Sequence, residues 1–327
     1  MSRYDEYAQY ERPRRRTRPR TKTRPAHDDA VPGRVLTIDR GRYTVLVDGS
    51  TAPVTAMKAR PLGRKGVVVG DHVQVVGDVS GESGTLARIV AVDERVTVLR
   101  RTADDDDPYE RVIVANADQL VVVTALADPP PRTGLIDRCL VAAYDAGLEP
   151  LLCLTKADLA DPDELLAAYR PLGVAALPTR RGGDLDPLRE RLAGHSSVLV
   201  GHSGVGKSTL VNALVPDQER SVSSVNAVTG RGRHTSTSAA TLALPGGGWI
   251  IDTPGIRSFG LAHVEPATLI AAFGDLAAAT TTCPRGCTHT EDQPECGLDE
   301  AVGTGQVDPE RVASYRRVLA SRDVSPW

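Results

Sequence analysis

Gly201-His202-Ser203-Gly204-Val205-Gly206-Lys207-Ser208-Thr209 constrains the fold of this chain most strongly, because it satisfies the phosphate-loop pattern G-x-x-x-x-G-K-[ST]. Ser197–Val200 just before it reads as a short buried strand, and Leu210–Leu214 just after it as the first turns of a helix. That setting suits the chemistry. Glycines let the backbone wrap closely around phosphates, and successive N–H groups converge at a helix N-terminus. All nine residues of the loop are assigned to the triphosphate; Lys207 would bring a mobile positive charge to its outer phosphates, and the Ser208 hydroxyl would ligate Mg²⁺. The stretch implies a nucleoside triphosphate site in an α/β layer.

Two more strand ends supply the rest of such a site. Pro150–Leu154 is an apolar run that leads into Thr155-Lys156-Ala157-Asp158, similar to the base motif N-K-x-D. A carboxylate in the last position accepts two hydrogen bonds, from the ring N–H and the exocyclic amine of guanine. Adenine lacks that donor pair, so Asp158 would select guanine, with the stem of Lys156 packed over the base. Thr155 stands where the motif has Asn, and a hydroxyl cannot replace every amide contact. Gly248–Ile251 is a further strand, ending in Asp252-Thr253-Pro254-Gly255. Asp252 would hold Mg²⁺ through its water shell, and the Gly255 N–H would meet the γ-phosphate. Gly230–Thr237, between loop and strand, is polar and glycine-containing, with Thr235 the candidate Mg²⁺ ligand.

The order of these motifs is informative. Most GTPases run phosphate loop, switch Thr, D-x-x-G, base motif; here the base motif comes first. Residues 102–262 therefore read as a circularly permuted α/β P-loop GTPase domain, whose switch segment feeds directly into the C-terminal domain. Leu120–Thr124 as a buried strand and Leu135–Ala146 as a helix support a parallel sheet covered by helices.

Upstream, residues 33–101 alternate short apolar runs with turn signals: Val35–Ile38, Tyr43–Val47, Val73–Val76 and Leu86–Val92 read as strands. Several short strands in so few residues suggest a small β-barrel, an OB-fold, which sequence alone does not separate from an SH3-like barrel. Tyr43 is the only aromatic residue there, so RNA contacts would run through Arg34, Lys58, Arg60, Arg64 and Lys65 to phosphates, unless the barrel is purely structural. Asp104–Asp107 followed by Pro108 marks a polar linker. Residues 1–32 carry the densely basic run Arg12–Arg24, expected as a disordered arm along nucleic-acid phosphates. The net charge of −3 hides this arm, which leaves the remainder acidic.

Residues 263–327 read as a mainly helical domain with a metal site. Cys283, Cys287, His289 and Cys296 offer three thiolates and an imidazole, a tetrahedral set for one structural Zn²⁺ with no open position for catalysis. Cys139 and Cys153 sit in apolar runs and read as core fillers. Asp308–Ser321 reads as a closing helix with Asp308 as its cap and Pro309 in its first position. No apolar run is long enough to span a bilayer, and the N-terminus lacks the apolar core of a signal peptide. A cytoplasmic monomer without membrane contact is the expectation.

From Gly33 onward the chain resembles the ribosome small-subunit-dependent GTPase family, RsgA (also called YjeQ). The resemblance rests on Ala115-Asn116-Ala117-Asp118-Gln119, the Thr155 motif, Gly201–Thr209, Gly230–Thr237, Asp252–Gly255 and the Cys/His cluster. It implies an N-terminal OB-fold, a late role in maturation of the small (30S) ribosomal subunit, and hydrolysis of GTP to GDP stimulated by that subunit. It also implies rRNA contacts by the zinc domain. Three features depart from the family: Thr155 itself; three residues between Cys283 and Cys287 and six between His289 and Cys296, where four and five are usual; and Leu177–Gly183 in place of a loop with a Ser-Ala pair. Ile256 stands where many GTPases have a water-orienting Gln, and the resemblance points instead to His234, whose neutral imidazole could accept a hydrogen bond from the attacking water. Lys207, Mg²⁺ and backbone N–H groups would stabilise charge on the transferred phosphoryl, with Arg231 and Arg233 available once the ribosome orders their loop. Two other classes stand beside this reading. One is a GTP-dependent RNA-binding switch that does not hydrolyse; the other is a P-loop kinase or ATPase, which Asp158 argues against.

Overall fold

The computed structural model describes residues 27–62, 66–101, 111–216, 239–253, 261 and 263–322. The first strands are β1 (Val31–Asp39), β2 (Arg42–Val47), β3 (Val54–Lys58), β4 (His72–Gly77) and β5 (Ala87–Val92). Their side chains alternate, so Val35, Val45, Val54, Ala56, Val73, Val75 and Ile89 all turn into one small core. The strands join in the order β1-β2-β3-β5-β4, and β4 pairs back onto β1 to close the barrel. Every pairing within it is antiparallel except β3 with β5. That closed five-stranded connectivity is the OB-fold, which removes the SH3-like alternative. All four predicted strands are present. The fifth, β3, escaped prediction because Val54-Thr55-Ala56-Met57-Lys58 turns only Val54 and Ala56 inward.

A hairpin of β6 (Val98–Arg101) and β7 (Arg111–Ala115) leads out of the barrel. Next come β8 (Gln119–Ala125), α1 (Thr133–Asp145), β9 (Glu149–Thr155), α2 (Asp163–Tyr169), β10 (Ala175–Pro178), α3 (Asp186–Leu192), β11 (Ser196–Val200), α4 (Lys207–Leu214), β12 (Ala240–Ala243) and β13 (Trp249–Asp252). The strands lie in the order β10-β9-β8-β11-β13-β12, parallel throughout except β12. All seven residues of β8 are buried, as a parallel strand covered on both faces requires. Alternation sorts the strand residues between two cores. Val121, Val123, Leu151, Cys153 and Leu199 face α3 and α4, whereas Leu120, Val122, Leu152, Leu154 and Val198 face α1 and the C-terminal helices. Cys139 and Cys153 are free and buried, as their apolar settings predict.

The chain ends in α5 (Pro266–Ala271), α6 (Gly274–Ala279), α7 (Gly297–Gly303) and α8 (Pro309–Ala320). The Asp308 carboxylate accepts from the Glu310 N–H at 2.7 Å, and Pro309 opens α8, as predicted. These helices pack onto α1. Phe273 lies between Tyr144 and Tyr315, at ring-centroid distances of 4.7 and 5.4 Å. Buried Arg138 donates to the carbonyl of Ser321 at 2.8 Å, and Arg317 pairs with Asp137 at 3.2 Å. Among the described residues no helix is long and apolar enough to cross a membrane.

Barrel and parallel sheet are joined where Thr37 of β1 pairs with Ala240 of β12. Arg34 corrects one expectation. Instead of facing RNA, it donates to the Ser196 hydroxyl at 2.9 Å and its guanidinium lies 5.4 Å from the Trp249 ring centre. Burial in this seam lowers its pKa, against the opposing pull of Asp118. Of the other proposed phosphate contacts, Arg60 is exposed, while Arg64 and Lys65 lie outside the described residues. So do the basic run Arg12–Arg24 and the linker Asp104–Asp107.

Candidate functional site

A cavity of about 930 Å³ opens at the carboxyl ends of β9, β11 and β13, the edge at which open α/β sheets bind ligands. Thr155, Lys156, Asp158, Gly201, His202, Ser203, Gly204, Gly206, Lys207, Ser208, Thr209 and Asp252 all line it. Predicted residues from three separate stretches thus meet in one place. Val205 turns inward instead, fully buried in the core beneath the loop. His234, Thr235 and Gly255 lie outside the described residues, together with Arg231, Arg233 and Ile256.

The local geometry arises from residue size and backbone freedom. A Cβ on Gly201 would sit 2.4 Å from the Val123 carbonyl oxygen, so only glycine lets the loop leave β11 this close to β8. Gly206 caps α4 with φ at 91°, the left-handed region that favours glycine. Lys207 Nζ donates to Asp252 Oδ1 at 2.5 Å and to the Thr253 carbonyl at 3.1 Å, which brings the loop's cation to the acid that ends β13. The Thr253 hydroxyl donates to the Leu199 carbonyl at 2.8 Å and fastens β13 to β11. His202 Nδ1 lies 2.9 Å from the Ser203 carbonyl, an acceptor, so this nitrogen carries a proton.

At the base end, Asp158 is exposed on the cavity wall. The Thr155 hydroxyl lies 2.5 Å from the Val205 carbonyl and 3.2 Å from that of Thr124. Lys156, at φ 58°, turns its ammonium onto the Asp128 carbonyl. Asp128 and Pro129 are neighbours of this end that sequence reasoning missed: the Asp128 carbonyl accepts from Lys156, and Pro129 Cδ lies 3.5 Å from where a Gly204 Cβ would stand. The available signal was Asp128-Pro129-Pro130-Pro131 at the end of a buried strand. The loop that departs from the Ser-Ala pattern backs this end: the Thr179 carbonyl accepts from Ala157 N–H at 3.0 Å, and Arg180 and Arg181 border the cavity.

Asn116 and Asp118 lie at the amino end of β8, away from the cavity, and act as a joint. Asn116 donates to the Gly70 carbonyl at 3.1 Å and accepts from Val96 N–H at 2.9 Å, both in the segments flanking β4 and β5 of the barrel. Asp118 accepts from Ser196 N–H at 3.0 Å, at the start of β11.

The second centre is Cys283, Cys287, His289 and Cys296, whose ligand atoms all lie within 4.8 Å of one another. His289 Nδ1 lies 3.7, 3.4 and 3.8 Å from the three sulfurs. Metal–sulfur bonds near 2.3 Å and metal–nitrogen bonds near 2.0 Å in a tetrahedron give an S···N edge of about 3.5 Å. The four groups therefore fit a tetrahedrally bound metal ion. Burial, reinforced by Arg316, holds the His289 pKa below its ordinary value and keeps the imidazole in its ligating neutral form. The Gly297 N–H donates to Cys283 Sγ at 3.1 Å, and Arg316 donates to the His289 carbonyl at 3.1 Å, so the surroundings orient the ligands.

Known proteins agree with this architecture. The sequence model of the RsgA GTPase family matches residues 92–262. A protein of Pseudomonas aeruginosa named small ribosomal subunit biogenesis GTPase RsgA is 46% identical over 218 residues, covering 64% of this chain and 64% of its own length. The protein of that name from Pseudomonas syringae pv. tomato is 43% identical over 242 residues, covering 71% and 69%. The crystal structure of YjeQ from Thermotoga maritima matches with a TM-score of 0.67 at 28% identity, covering 90% of this chain and 98% of that one. YloQ, described as a circularly permuted GTPase, shares the fold with a TM-score of 0.65 at 24% identity, covering 92% and 98%. The strand that carries Thr155 precedes the strand that carries the phosphate loop, the permuted order, and the chain belongs to the RsgA GTPase family.

Proposed function

We propose that this protein hydrolyses GTP to GDP and phosphate during late maturation of the small ribosomal subunit, binding its rRNA and being stimulated by it. The observation that carries the reading is the convergence of Asp158, the phosphate loop and the Lys207–Asp252 pair on one cavity. The names of the Pseudomonas relatives support the partner.

Placement and chemistry set the roles. Asp158 reads the guanine edge, with Thr155 and Lys156 completing the base end. Backbone N–H groups of Gly201–Thr209 cradle the phosphates, and Lys207 exchanges its Asp252 partner for phosphate oxygens. Ser208 and Thr235 would ligate Mg²⁺, Asp252 would hold its water shell and Gly255 would meet the γ-phosphate. When bound, the ion neutralises charge on the β- and γ-phosphate oxygens. His234 orients the attacking water, and an imidazole there needs its neutral form to accept that hydrogen bond. Cys283, Cys287, His289 and Cys296 hold one Zn²⁺ as a structural ion, since all four tetrahedral positions are taken by the protein. The domains are taken as a basic arm at 1–32, the OB-fold at 33–101, the permuted GTPase at 102–262 and the zinc domain at 263–327. The protein works as a monomer in the cytoplasm.

The test is GTP hydrolysis with and without purified small ribosomal subunits, with ATP and large subunits as controls. GTP-specific stimulation by small subunits, lost in His234→Ala with nucleotide binding retained, is the expected result. GTP-dependent binding to small subunits without hydrolysis would replace the enzyme by a binding switch. Hydrolysis of ATP as fast as GTP would sink the role given to Asp158.

A further inference from the structure

The loop that carries Asp158 runs into α2 with little slack. Asp161 Oδ1 accepts from the Asp163 N–H at 2.9 Å, and the Pro162 carbonyl accepts from the Leu166 N–H at 2.9 Å, so loop and first turn are joined. Where α2 sits therefore bears on where Asp158 sits. The packing of α2 is thin. It has seven residues, of which only Leu165 and Tyr169 are buried, and so short a helix has little stability of its own. Its far end is held by α8. Arg317 Nη2 donates to the Ala168 carbonyl at 3.1 Å, and its guanidinium lies 5.0 Å from the Tyr169 ring centre. Arg311 Nη1 donates to the Pro171 carbonyl at 2.6 Å, in the turn Arg170–Leu172 that extends α2. Carbonyls at a helix C-terminus lack intrahelical partners, and a cation there also meets the negative end of the helix dipole. Each guanidinium is itself fixed. Asp275 of α6 accepts from both Nε and Nη2 of Arg311, and Asp137 of α1, only 3% exposed, accepts from Arg317 Nε at 3.2 Å. None of these four charged residues lines the nucleotide cavity.

We propose that Arg311 and Arg317 are positioning residues for the base end of the nucleotide site, acting through α2, so that lifting α8 loosens the Asp158 loop and weakens guanine nucleotide. This rests on the nucleotide reading above and deepens it with a route of regulation. The route reaches the site from the base end and does not pass through the segments next to the phosphates. Coupling between two sites is reciprocal, so bound GDP steadies α8 by the factor that α8 lends to GDP.

The experiment measures GDP and inorganic pyrophosphate affinity of the full-length chain by competition against a fluorescent GDP, together with hydrogen exchange with and without GDP. Arg317→Met strands the buried Asp137 carboxylate, so it is made together with Asp137→Asn. Arg311→Met carries no such penalty, because the Asp275 side chain is 45% exposed. Each variant should weaken GDP by about 5-fold, the lower end of coupling between separate sites. Pyrophosphate has no base and reports the phosphate loop alone, so its affinity should hold. In nucleotide-free protein the α2 amides should exchange faster in both variants, while those of β8 and β11 keep their protection. GDP should slow exchange of α8 in wild type, and that effect should vanish in the variants. Equal losses of GDP and pyrophosphate would mean general loosening and overturn the proposal. So would unchanged GDP affinity, or GDP protection of α8 that survives both variants. If wild type shows no preference for GDP over ADP, the guanine reading falls. Exchange of α2 in nucleotide-free variants still decides the brace in that case.

Discussion

Removing the ring of Phe273 should release the C-terminal helices from the parallel sheet's covering helix. Phe273 is 2% exposed, and its ring centre lies 4.7 Å from that of Tyr144 on α1 and 5.4 Å from that of Tyr315 on α8. The Arg311 guanidinium lies 5.5 Å from the same ring centre. Truncating a buried Phe to Ala costs about 3–5 kcal/mol, a range that already includes its aromatic pairings. A loss of about 4 kcal/mol corresponds to roughly a 1,000-fold change in the opening equilibrium. Native-state hydrogen exchange reads that equilibrium directly. In Phe273→Ala, protection of the α8 amides should fall by about three orders of magnitude, while β8 and β9 keep theirs. Phe273→Leu retains most of the apolar volume and should cost only about tenfold. Less than a tenfold change at α8 in Phe273→Ala would refute the reasoning. An equal loss in β8 and β9 would refute it too, because the ring would then support the whole core.

The same contacts lead to other expected outcomes. Lys207→Met removes the only side-chain donor that reaches Asp252 among the described contacts of the loop, and GTP and GDP affinity by calorimetry should drop by about 10- to 100-fold. Native protein should carry one zinc per chain by elemental mass spectrometry, and Cys296→Ser, altering a ligand that is 2% exposed, should lose the ion and deprotect α7. Acid should loosen the C-terminal helices. Hydrogen bonds from Arg311 and Arg316 hold Asp275 and Asp299 below the usual carboxylate range, and burial does the same to His289 within its own range. All three folded values are depressed. Their contribution is therefore present above the unfolded values, about 3.9 for Asp and 6.5 for His, and is lost as pH falls through the folded ones. In chelated protein, exchange at α8 should quicken in two stages, first below about pH 6.5 and again below about pH 4. Constant α8 exchange from pH 7 to 3 would contradict this.

Local chemistry made much of the fold readable. The phosphate loop carries its own glycines and lysine, β8 and β9 are unbroken apolar runs, and Asp308-Pro309 announces the helix that it caps. The cysteines are sparse enough that three near one histidine mark a cluster able to hold a metal ion. Strand β3 was obscured because two inward residues in five make a faint alternation. Arg34 was misplaced because nothing near it in sequence foretells Ser196 and Trp249, which reach it only when β1 meets β12 and the start of β11.

What the sequence determined by itself was the inventory of motifs: a phosphate-loop pattern, an Asp in the last position of a base-like motif, a thiolate–imidazole set and the permuted order in which they come. Each depends on residues a few positions apart, whose backbone freedom and charge act locally. What only the tertiary structure decided was the use of individual side chains. It chose the OB connectivity through the β3–β5 and β1–β4 pairings, placed Arg34 in a seam, and set Thr155 against the phosphate loop. A hydroxyl or guanidinium can serve many acceptors equally well, and the acceptor it meets is fixed by packing between segments far apart in the chain.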